Sequence, residues 1–120
     1  MAGSRFELTS GAAVRVDLGL PSGHEAGFAR PVVIVTAQEA LDQGPSVVQV
    51  VPVTSTVRGY WSEVPLASGP SGLQIASVAQ CQHIRSVSVS RIATVLGQVS
   101  ATELRQMREI LGLLLDAPPP

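Results

Sequence analysis

The sequence contains no lysine: all eight of its basic residues are arginine, set against nine carboxylates, for a net charge of −1. A strongly basic coat for nucleic acid is thereby excluded, and any RNA or DNA site has to be a local patch. A G+C-rich genome produces the same arginine bias. Arginine nonetheless supplies guanidinium groups, which grip phosphate through two parallel bonds where an ammonium cannot. Cysteine is nearly absent as well. Cys81 stands alone, so there is no internal disulfide framework, and the chain fits a reducing compartment. The aromatics are Phe6, Phe28, Tyr60 and Trp61, so the core has to be aliphatic. No apolar run approaches the roughly 20 residues of a membrane span. The N-terminus has no basic stretch followed by an apolar one, the pattern of a signal peptide. The expectation is a soluble, cytoplasmic protein with no membrane partner. Apolar residues reach 45% of the chain while charged ones are only 14%, which favours a packed domain over a disordered chain. A length of 120 residues suits one domain.

Residues 1–11 are weakly patterned and read as a loose N-terminal segment. Val14, Val16 and Leu18 then alternate with Arg15 and Asp17, as in a strand. Gly19, Pro21, Gly23 and Gly27 mark a loop that carries His24 and Glu25 side by side. Residues 31–36 are a continuous β-branched run, which predicts a strand buried on both faces with Pro31 at its first position. A short helix is expected over 37–43, ended by Gly44-Pro45. Residues 47–53 read as a further strand, in which Pro52 marks an edge or a bulge. An exposed loop follows over 54–59, then a strand over 61–66, a turn over 68–72 and short strands near 75–79, 83–86 and 94–98. Ser100 and Glu103 form a capping box. Beyond it Leu104, Met107, Leu111, Leu114 and Leu115 line one helical face. The fold class is therefore mainly β (α+β): a small, strongly curved, mostly antiparallel sheet or barrel closed by a C-terminal amphipathic helix. It is expected to be one domain over 1–120, with a proline-rich tail at 117–120.

Four stretches, in this order and spacing, resemble the MazF/PemK (Kid) family of toxins from type II toxin–antitoxin systems. The first is Val16-Asp17-Leu18-Gly19 followed by Gly23-His24-Glu25 and Arg30-Pro31-Val32. The second is Val51-Pro52-Val53-Thr54-Ser55. The third is Cys81-Gln82-His83-Ile84-Arg85-Ser86. The fourth is Leu96-Gly97-Gln98-Val99-Ser100, running into the last helix. The resemblance implies an SH3-like barrel, a homodimer, and cleavage of single-stranded RNA at short sequences without a metal or other cofactor. It also implies a cognate antitoxin whose flexible segment covers the active groove.

Metal-free RNA cleavage needs a base for the 2′-OH, a cation or strong donors on the phosphate oxygens, and an acid for the departing 5′ oxygen. The resemblance assigns Arg30 to the phosphate and Thr54 to a phosphate oxygen. It offers His24 and Glu25 as the acid–base candidates, their order left open. Each has an ordinary structural use as well: a surface ion pair between Arg30 and Glu25, a turn-capping threonine, a solvated loop histidine. Gln80 and Gln82 stand where the Kid-like branch has Arg and Asp, and an amide cannot act as acid or base. The MazF-like use of Arg30 and Thr54 is therefore expected. Ser55, Arg58, Tyr60 and Arg85 are the candidates for RNA contact, with Tyr60 able to stack on a base. Trp61 reads first as an apolar anchor on the barrel or between subunits. Cys81 and His83 are too few ligands for zinc, so no metal site is expected. Two other readings stay open from the sequence: a CcdB-like toxin that acts by binding gyrase, and a catalytically inactive SH3-like binding module. A Ser-His-Asp hydrolase is disfavoured, since no G-x-S-x-G elbow is present.

Overall fold

A computed structural model describes residues 7–17 and 29–118. Seven strands and two helices follow in chain order: β1 (Ala12–Asp17), β2 (Ala29–Ile34), α1 (Gln38–Leu41), β3 (Val47–Thr54), β4 (Glu63–Leu66), β5 (Ser77–Gln80), β6 (Arg85–Ser88), β7 (Ile92–Gln98) and α2 (Ala101–Leu114). Every pairing is antiparallel, and the strands lie in the order β4-β5-β3-β2-β1-β7. β6 pairs with β3 off this path. β3 thus serves two partners along one edge, β6 over Val47–Val50 and β5 over Val53–Thr54. Two short 3-10 turns, Cys81–His83 and Val89–Arg91, bend the chain into and out of β6.

Pro31 and Pro52, on the neighbouring strands β2 and β3, are explained by hydrogen-bond direction. The Val35 amide donates to the Gln49 carbonyl, so the odd-numbered residues of β2 and β3 point their backbone groups at each other. Pro52 therefore turns its missing donor away from β2, toward the gap where β6 pairing has ended at Val50 and β5 pairing begins at Val53. Pro31 points its missing donor at Val53. The β2–β3 register stops one pair earlier, at Val32↔Pro52. β2 begins at Ala29, so Pro31 lies inside the strand rather than at its first position.

Strand alternation feeds two aliphatic cores, one on each face of the sheet. Val33, Val51, Val53, Val64 and Leu66 pack with Met107 and Leu111 of α2. Val14, Val16, Val32, Ile34, Val48 and Ile92 pack on the other face. Val32, Val33 and Ile34 are consecutive and all inaccessible to solvent, as a doubly covered strand requires. In α2 the Ser100 hydroxyl accepts from the Glu103 amide and the Glu103 carboxylate accepts from the Ser100 amide, which closes the expected capping box. The apolar stripe ends earlier than its sequence periodicity implies. Leu104, Ile110 and Met107 meet the core, but Leu115 is 70% exposed and Leu114 is exposed too. The helix stops at Leu114, and Asp116 then takes a left-handed φ of 53°.

The path of strands is open between β4 and β7 among the described residues, and the loop after β4 bridges it. The Gln98 amide donates to the Pro70 carbonyl at 3.0 Å. A Cβ on Gly97 would lie 2.2 Å from that carbonyl oxygen, and one on Gly72 would lie 2.2 Å from the Leu96 carbonyl oxygen. Within the segment expected to be loose, residues 7–11 are tied down. The Ser10 amide donates to Gln38, the Ser10 hydroxyl donates to the Thr36 carbonyl, and Thr9 donates to Gln98.

These features have measurable consequences. Gly97→Ala drives a methyl into backbone and lowers unfolding free energy by about 1–3 kcal/mol in a denaturant titration. Gly112→Ala, in open space within α2, raises it by up to about 1 kcal/mol. Burial pushes the Cys81 thiol up from 9.0 to about 11. A thiol reagent therefore leaves the native protein unlabelled at neutral pH and labels it once denatured. Because the folded pKa is the higher one, stability is intact below pH 9 and falls as pH rises toward 11.

Candidate active site

A groove of about 440 Å3 opens where the β2–β3 ladder ends. Its lining includes Arg30 and Pro31 from β2, Val53 and Thr54 from β3, and Ser55 just beyond. Neighbouring residues of each strand line it together, so the groove runs across the strand ends and is not confined to one face. Carrying the Val32↔Pro52 register one step past Pro31 and Val53 sets Arg30 opposite Thr54. The backbone of Arg30 is fixed from the other side by its pairing with Val16 of β1. The Thr54 hydroxyl oxygen accepts from the Thr56 amide at 3.1 Å. That turn cap fixes the hydroxyl at the strand end and leaves its proton to be donated elsewhere. Capping and anion binding are thus compatible uses of one side chain.

The far wall comes from the loop before β5 and from β7. Leu73, Gln74 and Ile75 of the loop line it with Leu96 of β7 and Ser77 at the start of β5, and the tight Gly72–Leu96 approach holds this loop against the sheet. Arg15 of β1 also lines the groove. Two arginines and no carboxylate are therefore found among the described lining residues. In a groove partly shielded from water, that balance favours an anion. Among the described residues no three His, Cys, Asp or Glu side chains gather in a way that could hold a metal ion.

The other candidates fall in different places. His24 and Glu25 lie outside the described residues. Arg58 and Tyr60 are exposed on the β3–β4 loop, which leaves the groove at Ser55. Arg85 lies on β6, paired with Val50, and does not line the groove. Trp61 is 62% exposed, so it is no anchor on this chain's own barrel. The Tyr60 carbonyl accepts from the Glu63 amide in a tight turn, which turns Trp61 outward next to Tyr60. Glu63 organises this loop and was not singled out from the sequence. Its Oε1 accepts from the Arg58 amide at 3.1 Å and from the Gly59 amide at 2.9 Å, while its Oε2 is buried with no partner. The expected strand over 61–66 accordingly begins only at Glu63. Arg15 and Gln74 were also not singled out. Arg15 carried no signal beyond being a polar position of an alternating strand.

Comparison with known proteins places these features in a family. The family profile described as PemK-like, MazF-like toxin of type II toxin-antitoxin system matches residues 9–115. Endoribonuclease MazF9 of Mycobacterium tuberculosis is 40% identical over 107 residues, covering 85% of this chain and 91% of that protein. Among solved structures, a MazE-MazF complex (Form-II) from Deinococcus radiodurans superposes with a TM-score of 0.80 at 30% identity, covering 94% of this chain and 99% of that one. Mycobacterium tuberculosis toxin MazF-mt6 gives 0.73 at 28% identity, covering 90% and 99%. With its antiparallel sheet, C-terminal helix and matched span, the chain belongs to the PemK-like, MazF-like toxins of type II toxin–antitoxin systems.

Proposed function

We propose that this toxin is a metal-independent, sequence-specific endoribonuclease that cuts single-stranded RNA in the groove at the end of β2 and β3. The observation that carries the reading is the register that sets Arg30 opposite Thr54, in a groove lined by arginine and free of carboxylate among the described residues. The 2′-OH loses its proton to a base, and its oxygen attacks the adjacent phosphorus. The bond from phosphorus to the 5′ oxygen breaks, and an acid protonates that oxygen. The products are a 2′,3′-cyclic phosphate and a 5′-OH end. DNA has no 2′-OH and is left intact.

In this scheme the Arg30 guanidinium holds two phosphate oxygens and meets the charge that builds on them. Thr54 donates its hydroxyl proton to the same group, and Ser55 adds a second hydroxyl. His24 and Glu25 take the acid and base roles. Arg58 and Tyr60 meet RNA along the loop that Glu63 holds, with Tyr60 as a stacking surface. Arg85 contributes an RNA contact outside the groove. The protein works as a single domain over 1–120, in the cytoplasm, as a homodimer. No helix among the described residues is long and apolar enough to cross a membrane. A cognate antitoxin with an acidic flexible segment silences it by filling the groove with carboxylates in place of phosphate. A MazE-MazF structure from Deinococcus radiodurans is among the solved relatives.

The test is incubation of the purified, antitoxin-free protein with a long single-stranded RNA in EDTA, with product ends mapped by sequencing. The expected result is cutting at a short fixed motif with cyclic phosphate ends. Arg30→Ala lowers kcat/KM by roughly 10²–10³-fold, the scale of one lost transition-state donor. Thr54→Val lowers it by about tenfold, the scale of one neutral donor. No cutting of varied RNAs by folded protein overturns the reading and makes gyrase binding the next assay.

A further inference from the structure

Arg15 is a groove cation to which the scheme above gives no task. It sits in mid-strand on β1, which is paired on both sides, with β2 and with β7. Shielding an open sheet edge is therefore not its role. Its cross-strand neighbours are Pro31 and Thr94, so no opposite charge faces it on either ladder. Asp17, two residues along the same strand, does not line the groove. Alternation sends Arg15 off β1 on the face opposite Val14 and Val16. Arg30 leaves β2 on the same face as Val32 and Ile34, which pack with Val14 and Val16. The two arginines thus line one groove from opposite faces of one strand pair. That arrangement suits two successive phosphates of a chain better than a single scissile group.

We infer that Arg15 forms a second phosphate subsite, which holds the phosphodiester next to the one that is cut. The inference rests on the nuclease reading, with Arg30 keeping the scissile phosphate. Arg15 contacts a group that does not react, so its contribution is the same before and during the reaction. It therefore acts on KM and leaves kcat to Arg30. It also makes cleavage depend on the length of RNA beyond the cut.

The test uses the full chain and an RNA carrying the mapped motif, with a 2′-deoxy ribose at the cut so that it binds uncut. Affinity is measured by fluorescence anisotropy across a range of salt. Arg15→Ala weakens binding by about tenfold, the scale of one charge-assisted contact. It also makes the log–log salt slope shallower by about 0.7, the value of one phosphate on a single strand. Arg15→Lys keeps the slope, because the charge remains. Replacing the flanking phosphate with an uncharged methylphosphonate brings the wild type down to the Arg15→Ala affinity and leaves that variant unchanged. Arg15→Gln, with a thermal melt beside it, repeats the loss in a protein that is demonstrably folded. Wild-type affinity and slope in both Arg15→Ala and Arg15→Gln overturn the subsite, as does a loss of kcat with KM unchanged. A wild type that cuts nothing yet binds RNA through Arg15 overturns the nuclease reading and supports the subsite. A wild type that neither cuts nor binds overturns both.

Discussion

Pro31 has no N–H to give the Val53 carbonyl, and the β2–β3 ladder ends at the pair before them. Past that point β2 runs on through Pro31, Arg30 and Ala29, and β3 through Val53 and Thr54, with no further β2–β3 pair in the register. Arg30 and Thr54 lie in this stretch, and both line the groove that opens there. Each is still held from its other side, Arg30 by β1 and Thr54 by β5. The result is a gap with rigid walls. Side chains on regular strands are placed more exactly than side chains on loops, and that matters where a phosphate must be met by fixed donors.

The rest of the packing maintains those walls. Two valine-rich cores, one on each face, fix β2 and β3 by their pleat, because a slip of one residue would exchange the two sets of side chains. α2 covers one face through Met107 and Leu111, its first turn secured by the capping box. The Gly72 and Gly97 backbones press the loop before β5 onto β7, which brings Gln74 and Ile75 to the groove's far side. Bulkier residues at either glycine would move that wall. Stability and site geometry therefore depend on the same contacts.

Much of this was legible in the sequence. Period-2 alternation marked β1, the β-branched run marked β2 and β3, and Ser100 with Glu103 marked the start of α2. Strand ends were less legible, because they depend on partners. β4 starts late since Tyr60–Glu63 forms a turn, and β2 starts early since β1 pairs with Ala29 and Arg30. The joining of Arg30 with Thr54 and Ser55 followed from motif resemblance, while its cause, the register around Pro31 and Pro52, needed the sheet. Arg15 looked like an ordinary polar position of an alternating strand, because sequence alternation does not reveal what faces a side chain. Trp61 reads as core by residue type, and only the turn shows that it points outward. Glu63 works by accepting from two backbone amides, an interaction that leaves no sequence pattern.

The most direct measurement is amide hydrogen exchange combined with RNA cleavage for Pro31→Ala. The substitution restores one donor at the point where the ladder stops. The account predicts that the new amide at position 31 is protected from exchange by a bond to Val53, and that RNA affinity and cleavage fall as the groove narrows. A freely exchanging amide at that position would contradict it. So would a protected amide in a protein that cuts RNA at the wild-type rate, since the groove would then owe nothing to the missing donor.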